Sequence, residues 1–137
     1  MKTLIIYRTF LGSSKKYAEW LHEAVPSDLM KFSKANAKAL EAHDTVVMFG
    51  GTYMYRPSLL GYIKKNWKGL QSKRVVFVTV AGAPEIDEVS VKTYDKLPEN
   101  IRAAIKHFHL RGKAGNQNAE EVTKDKVQPI ADYLLGK

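Results

Sequence analysis

Three short, continuous apolar runs constrain the fold of this chain more than any other feature of its sequence. They cover residues 3–7 (TLIIY), 45–49 (TVVMF) and 75–80 (VVFVTV). Runs of this length without alternating polar residues are typical of strands that are buried on both faces. Residues 28–32 and 107–110 are weaker candidates with the character of edge strands. The sequence therefore predicts a sheet of five strands.

Helical patterns alternate with these strands. Apolar residues recur at helical spacing over residues 17–25 and 59–67, and Pro57 and Ser58 are suited to starting the second of these helices. Further helices are expected within residues 34–43, in part of 85–106 with a break at Pro98, and over about 124–135. Strands that alternate with helices imply right-handed crossovers and a parallel sheet. We expect residues 1–137 to form one three-layer α/β domain with a five-stranded parallel sheet in the order 2-1-3-4-5.

Composition and charge exclude several classes of function. The chain contains no cysteine, which rules out disulfides, thiolate metal sites and a Cys nucleophile. Lys and Arg number 22 against 14 Asp and Glu, and the resulting formal charge of +8 favours anionic partners, although a solvated lysine-rich surface gives the same value. No apolar run reaches the roughly 18 residues of a membrane span, and the N-terminus lacks a signal-peptide pattern. A cytoplasmic location is expected.

A turn rich in Thr, Gly and Ser separates the first strand from the first helix. This first loop, residues 9–14 (TFLGSS), places backbone N–H groups and three hydroxyl groups at the positive end of a helix dipole. Lys15 and Lys16 follow in the first helical turn, where they oppose the dipole at a cost of about 0.3–1 kcal/mol each unless an anion offsets it. The pattern predicts an anion site. The alternative is that Ser13 or Gly12 simply caps the helix.

Two further loops follow the third and fourth strands. The second loop, residues 49–55 (FGGTYMY), is rich in glycine and aromatic residues, and the third loop, residues 80–84 (VAGAP), in small residues. The carboxyl ends of parallel strands lie at one edge of a sheet, where doubly wound sheets bind ligands, so we expect the three loops to be adjacent. Ordinary turns, and tyrosines packed over the rim of the sheet, are the alternative interpretation.

The first loop resembles the phosphate loop of flavodoxins, whose pattern is roughly Ser/Thr-x-Thr-Gly-x-Ser/Thr. Thr9, Gly12 and Ser14 match this pattern, and Leu11 stands where the family usually has Thr. The resemblance extends over nearly the whole chain and is strongest over residues 3–83. It implies a flavodoxin-like fold that binds FMN without a covalent bond, with the phosphate at the first loop.

The second loop is similar to that of the quinone-dependent protoporphyrinogen oxidase type among flavodoxin-like proteins. Gly50, Thr52 and Tyr55 align with that type's G-A/S-S-x-x-Y-G pattern, and Arg56 replaces the final Gly. The resemblance implies that an aromatic residue here stacks on the flavin ring. Tyr55 is the expected ring contact and Tyr53 the alternative. Arg56 is expected either at the cofactor edge, facing an anionic partner, or as a solvated residue.

The resemblance assigns residues in all three loops to cofactor binding. They are Thr9, Phe10, Leu11, Gly12, Ser13 and Ser14 in the first loop, Thr52, Tyr53, Met54 and Tyr55 in the second, and Ala81, Gly82 and Ala83 in the third. No catalytic residue is assigned. His107 and His109 form an H-x-H pair on one face of a predicted strand, but no third ligand lies nearby in sequence, so a structural role is expected rather than a metal site.

The resemblance implies an FMN-binding redox protein that carries out electron transfer. One alternative is a protoporphyrinogen-oxidase-like flavoenzyme with an anionic substrate and a quinone acceptor, although residues 111–123 are shorter and more polar than the matching segment of that type. Another is a cofactor-free binding module of the same fold with a basic surface. The expected partner is a redox protein, acidic in view of the charge, or a small anionic substrate. Peripheral membrane contact is compatible with the charge, and nucleic acid is not expected because no basic–aromatic cluster is present.

Overall fold

The computed structural model describes residues 2–54, 56–83, 88–113 and 118–137. Within them the strands are β1 (Thr3–Arg8), β2 (Asp28–Lys31), β3 (Thr45–Tyr53), β4 (Arg56–Pro57), β5 (Arg74–Ala81) and β6 (Ile105–Arg111). The α-helices are α1 (Ser13–Ala24), α2 (Ala37–Glu41), α3 (Leu60–Lys65), α4 (Trp67–Leu70), α5 (Glu88–Tyr94), α6 (Glu99–Ala104) and α7 (Gln128–Leu135). Short 3-10 helices occupy Phe32–Lys34, Ala119–Glu121 and Lys124–Val127.

Five of these strands form a parallel sheet in the order β2-β1-β3-β5-β6. The predicted order 2-1-3-4-5 is confirmed once β4 is set aside, since β4 is only two residues long and pairs antiparallel with the end of β3. The two weaker strand candidates are the edge strands β2 and β6, as predicted.

The short strand β4 corrects one helix prediction. Pro57 was expected to start a helix together with Ser58, but the pairing of Thr52 with Pro57 folds the chain back on β3. The backbone N–H of Ser58 then donates to the carbonyl of Gly51 at 3.1 Å. These hydrogen bonds hold the segment extended, and α3 begins only at Leu60.

The core lies on both faces of the sheet. In β1, Leu4 and Ile6 belong to one buried cluster, which includes Ile63 of α3, whereas Ile5 belongs to the other, which includes Tyr17 of α1. Both β3 and β5 are buried along most of their length in the same way. Because neighbouring residues of a strand point to opposite faces, burial of both faces requires the unbroken apolar runs seen in the sequence.

An aromatic stack covers part of one face next to β6. The His107 ring lies 4.9 Å from the Tyr94 ring and 6.0 Å from the Phe77 ring, with interplanar angles of 21° and 24°. Burial, with a smaller contribution from His109, lowers the pKa of His107 from 6.5 to about 4. The imidazole is therefore neutral in the folded protein at neutral pH.

We expect the free energy of unfolding to fall as the pH is lowered from about 6.5 to about 4. Over that range the unfolded chain binds a proton on His107 that the folded chain excludes, so acid favours unfolding. Chemical denaturation at a series of pH values measures the slope. His107→Phe keeps an aromatic ring in the stack and should depend less steeply on pH. Equal slopes for the two proteins would contradict the lowered pKa.

Candidate functional site

The three loops meet at a cavity of about 400 Å³ at the carboxyl ends of β1, β3 and β5. This volume lies in the range of roughly 300–1,000 Å³ that is typical of small-molecule sites. The lining residues are Thr9, Phe10, Leu11, Ser13, Ser14, Gly51, Thr52, Tyr53, Val80, Ala81, Gly82, Gly112 and Lys113. The end of β6 thus contributes to the cavity together with the three predicted loops.

The first loop leaves the positive end of α1 without a side-chain cap. Gly12 occupies the N-cap position in a left-handed conformation, with a φ of 93°, and no side chain accepts a hydrogen bond from the first turn. Its own N–H donates to Thr9 Oγ1 at 2.8 Å, which closes the loop. No acidic residue lies in the first turn, where Lys15 and Lys16 are exposed. The helix start therefore has the electrostatics of an anion site.

Two serine hydroxyls face this helix start. Ser13 Oγ accepts a hydrogen bond from the backbone N–H of Lys113 at 2.8 Å, so its own hydrogen remains free to donate. Ser14 is only 2% exposed, and its hydroxyl, which lines the cavity, has no hydrogen-bond partner among the described residues. A hydroxyl that lines a cavity and has no protein partner is available to a ligand. The donors at this end of the cavity fit a phosphate group.

The second loop supplies an aromatic residue and a glycine that leaves space. The rings of Tyr53 and Phe10 lie 5.4 Å apart with an interplanar angle of 32°, which joins the first and second loops across the cavity mouth. A Cβ atom at Gly51 would lie 3.0 Å from Phe10 Cδ2 and 3.4 Å from Ser14 Oγ. Glycine is thus needed here to keep the cavity open. Met54 is 72% exposed and outside the cavity lining.

The third loop contributes small residues, and the end of β6 packs against it. The backbone N–H of Gly112 donates to the carbonyl of Ala81 at 2.6 Å. A Cβ atom at Gly112 would lie 2.7 Å from Val80 Cγ1 and 3.5 Å from Ser13 Cβ, a contact too close for any larger residue. Gly112 therefore lets β6 approach the first and third loops together.

The cavity contains most of the residues predicted from the sequence. Nine of them line it: Thr9, Phe10, Leu11, Ser13, Ser14, Thr52, Tyr53, Ala81 and Gly82. Gly12 lies beside it and lines an adjoining depression, whereas Met54 and Ala83 are absent from the lining. Tyr55, the preferred ring contact, lies outside the described residues. The role of each residue toward FMN stays a prediction.

Four lining residues were not among those predicted: Gly51, Val80, Gly112 and Lys113. Gly51 and Val80 belong to loops that the sequence singled out, and their small or apolar side chains gave no reason to choose them. Lys113 reaches the site through its contact with Ser13, 100 residues away in sequence, which no local pattern signals. Arg56 is exposed and does not line the cavity, so Lys113 is the cation of the described lining.

The region of the chain that the structure describes offers few other sites. In that region, no cluster of three or more His, Cys, Asp or Glu side chains is placed to hold a metal ion. None of the described helices is long and apolar enough to span a bilayer. The cavity at the three loops is therefore the candidate site that we analyse.

Comparisons with known proteins relate both the sequence and the fold to flavodoxins. Residues 4–134 match the family model described as a flavodoxin domain. A search of curated protein sequences gives no match. Among solved structures, oxidised flavodoxin 1 from Bacillus cereus is similar with a TM-score of 0.67 and 11% identity, covering 99% of this chain and 98% of that one.

Two other flavodoxin structures have a similar fold. The two-electron reduced flavodoxin of Megasphaera elsdenii has a TM-score of 0.67 and 13% identity, covering 95% of this chain and 98% of that one. A flavodoxin from the domain Archaea has a TM-score of 0.63 and 17% identity, covering 98% and 99%. At these identities the structural matches establish the fold, and the family match establishes the relationship in sequence.

Gly51→Val should lower the affinity for FMN by about tenfold or more, because branched methyl groups at this position enter space now bordered by the Phe10 ring and the Ser14 hydroxyl. Fluorescence titration of the cofactor-free protein measures the change. Gly61→Val is the matched control, since a Cβ atom at Gly61 meets nothing within 4 Å. Unchanged FMN affinity in a folded Gly51→Val protein would remove this cavity as the cofactor site.

Proposed function

The chain belongs to the flavodoxin domain family, and we propose that it binds one FMN in the cavity of its three loops and passes electrons to an acidic partner protein. FMN is the cofactor of this family. The observation that carries the choice of site is the uncapped positive end of α1, next to the unpartnered hydroxyl of Ser14. An anionic ligand would satisfy both at once.

The phosphate end of FMN would be held by the first loop. Ser13 and Ser14 offer hydroxyl hydrogens, and α1 contributes the positive end of its dipole. Lys113 lines the same cavity and adds a full positive charge. Charge-assisted hydrogen bonds of this kind are stronger than neutral ones, so the phosphate should contribute much of the affinity.

The ring end would lie between the second and third loops. Tyr53 and Phe10 offer aromatic surface at the mouth of the cavity, and Ala81 and Gly82 let the backbone come close to a ligand. When bound, FMN supplies the redox chemistry, and the protein supplies orientation and electrostatics.

The surface around the cavity mouth supports a protein partner of negative charge. Phe10, Leu11, Tyr53 and Met54 are all large apolar side chains that are 43–72% exposed. Apolar side chains grouped in this way are typical of binding surfaces. Arg8 lies between the Phe10 and Phe32 rings, 5.5 and 4.8 Å from their centroids, and the chain as a whole carries +8. A partner with an apolar centre and an acidic rim would complement this surface.

Two alternatives receive less support. The protoporphyrinogen-oxidase-like enzyme rested on a motif whose aromatic residue, Tyr55, lies outside the described residues. The cofactor-free binding module has no explanation for the cavity, for the Ser14 hydroxyl that has no partner among the described residues, or for the absence of a side-chain cap on α1. Electron transfer by an FMN protein accounts for all three.

Ser14→Ala should weaken FMN binding by about tenfold and leave riboflavin binding nearly unchanged, because the hydroxyl is proposed to donate to the phosphate that riboflavin lacks. Parallel titrations of both flavins measure the ratio of affinities. Wild-type protein should prefer FMN strongly. Equal affinity for the two flavins in the wild type would contradict the assignment of the phosphate to the first loop.

Ser58→Ala is the matched control for this experiment. Ser58 Oγ is buried without a hydrogen-bond partner among the described residues, and unlike Ser14 this residue does not line the cavity. Removing it should leave both flavin affinities unchanged and should not destabilise the fold. A loss of FMN affinity in Ser58→Ala equal to that in Ser14→Ala would mean that the effect does not come from the phosphate.

Electron transfer to an acidic iron–sulfur carrier should be faster than to a basic haem protein, and it should slow as salt is added. Lys34→Glu should reduce the rate several-fold at low salt. Lys34 follows β2 and therefore lies at the end of the sheet where the strands have their carboxyl termini, as the cavity does. Lys2→Glu makes the same change of charge, but Lys2 precedes β1 and lies at the end of the sheet where the strands begin, away from the cavity. This substitution should have little effect on the rate. Stopped-flow measurements test this. A faster reaction with the basic protein would overturn the acidic partner.

A further inference from the structure

The H-x-H pair of β6 forms a hydrogen-bonded chain that ends on the third loop. His107 Nε2 lies 2.9 Å from Thr79 Oγ1, and His109 Nδ1 lies 2.7 Å from the same oxygen. The other nitrogen of His109, Nε2, lies 3.1 Å from the carbonyl oxygen of Ala83. The four residues thus connect the side of β6 to the loop after β5.

The carbonyl of Ala83 fixes the direction of this chain. A carbonyl oxygen only accepts, so His109 Nε2 carries a hydrogen and donates to it. In the tautomer with its hydrogen on Nε2, Nδ1 of His109 accepts from the hydroxyl of Thr79, and the Thr79 oxygen accepts from Nε2–H of His107. The carbonyl of Phe108, 3.4 Å from Thr79 Oγ1, is a more distant acceptor for the same hydroxyl hydrogen. A chain in which each member has a donor and an acceptor role favours a fixed geometry.

Thr79 is an unusual residue for its position. Its neighbours in β5 are Val78 and Val80, and it is 0% exposed in a strand that is otherwise apolar from residue 75 to residue 80. A buried hydroxyl is costly unless it is bonded, and valine would fill the same space. The histidine contacts are the observed compensation for this cost.

Two more side chains bind the same loop from the same side. Arg111 Nε donates to the carbonyl of Gly82 at 3.0 Å, and Asn118 Nδ2 donates to that oxygen at 2.9 Å. The N–H of Gly112 donates to the carbonyl of Ala81. The carbonyls of residues 81, 82 and 83 are therefore all held by groups on β6 or in the segment after it.

This arrangement has a consequence for the amide groups of the loop. In a trans peptide unit the C=O and the N–H point in opposite directions. A carbonyl of Ala81 held toward β6 turns the N–H of Gly82 away from β6, and the carbonyl of Gly82 does the same for the N–H of Ala83. Because β5 lies between β6 and β3, that direction is toward the second loop. The carbonyl of Ala83, which His109 holds, precedes a proline in the sequence and so orients no N–H group. This contact instead anchors the end of the loop.

We infer that His109, held in place by Thr79, is a positioning residue that holds the carbonyl of Ala83 and so keeps the third loop in place beside the ring of the bound flavin. The inference rests on the proposed function for the identity of the ligand. It assigns a role to the H-x-H pair beyond its packing. The phosphate end of the site makes no contact with these hydrogen-bonded residues. Substitutions in them should therefore change the binding of the flavin ring and leave the binding of the phosphate unchanged.

Thr79→Val and His109→Leu should each weaken the binding of FMN and of riboflavin by the same factor, about three- to tenfold. The ratio of the two affinities should therefore stay unchanged. Both should also shift the midpoint potential of the bound flavin, because the donors near its ring are displaced. His109→Gln, which can still offer an N–H to the carbonyl of Ala83, should recover part of the affinity. A changed ratio of the two flavins, or affinities and potential equal to those of the wild type, would overturn the inference.

Thr45→Val is the matched control. Thr45 is likewise 0% exposed in a central strand, and it accepts a hydrogen bond from Arg74 Nε at 3.2 Å at the opposite edge of the sheet. Its loss should destabilise the fold without selective effects on the third loop. An equal loss of flavin affinity in Thr45→Val would contradict a specific role for Thr79.

Amide hydrogen exchange in the cofactor-free full chain tests the same inference without flavin. The N–H groups of Gly82 and Ala83 should exchange faster in Thr79→Val and His109→Leu than in the wild type, and at the wild-type rate in Thr45→Val. Unchanged exchange rates in Thr79→Val and His109→Leu would show that the hydrogen bonds of Thr79 and His109 do not hold the third loop. If the wild type binds neither flavin, the proposed function fails while this measurement still decides whether His109 positions the loop.

Discussion

The parallel pairing of β1, β3 and β5 is the constraint on which the site depends. Each strand is buried on both faces, so its register is specified by two clusters of apolar side chains. The pairing brings Arg8, Gly50 and Thr79 level with one another across the sheet. The three loops begin at this level, and their proximity follows from the sheet. A change in the register of one strand would move its apolar side chains out of both clusters, so the core that fixes the register also fixes the site.

Electrostatics give the site its polarity. The positive end of the α1 dipole lies at one end of the cavity, Lys113 lines that cavity, and the first turn of α1 has two exposed lysines and no acidic residue. Charges of one sign repel one another, which makes this arrangement unfavourable in the free protein. A bound anion reverses the sign of that contribution.

The sequence predicted the fold well because the relevant signals are local. Apolar runs and helical spacing are properties of a few consecutive residues, and five strands alternating with helices in a chain of this length fit a known doubly wound strand order. Residues such as Ser14 and Tyr53 could be assigned to the site because they belong to segments that follow predicted strands and resemble the loops of a known family. The start of α3 was predicted too early because the pairing of β4 with β3 depends on a turn whose signal is weak. Contacts between distant segments, such as Lys113 with Ser13, had no signal at all.

The end of β6 is where the two halves of the site share their support. Tyr17 of α1 donates its hydroxyl to the carbonyl of Arg111 at 2.5 Å, and burial raises the pKa of this tyrosine to about 12, so it remains a donor. Arg111 in turn binds the carbonyl of Gly82, and Lys113 binds Ser13. Arg111 and Lys113 are two residues apart, so these contacts tie the third loop and the first loop to the same strand end. A displacement of the whole end of β6 would therefore loosen both loops, whereas loss of the His109 contact alone would loosen only the third loop.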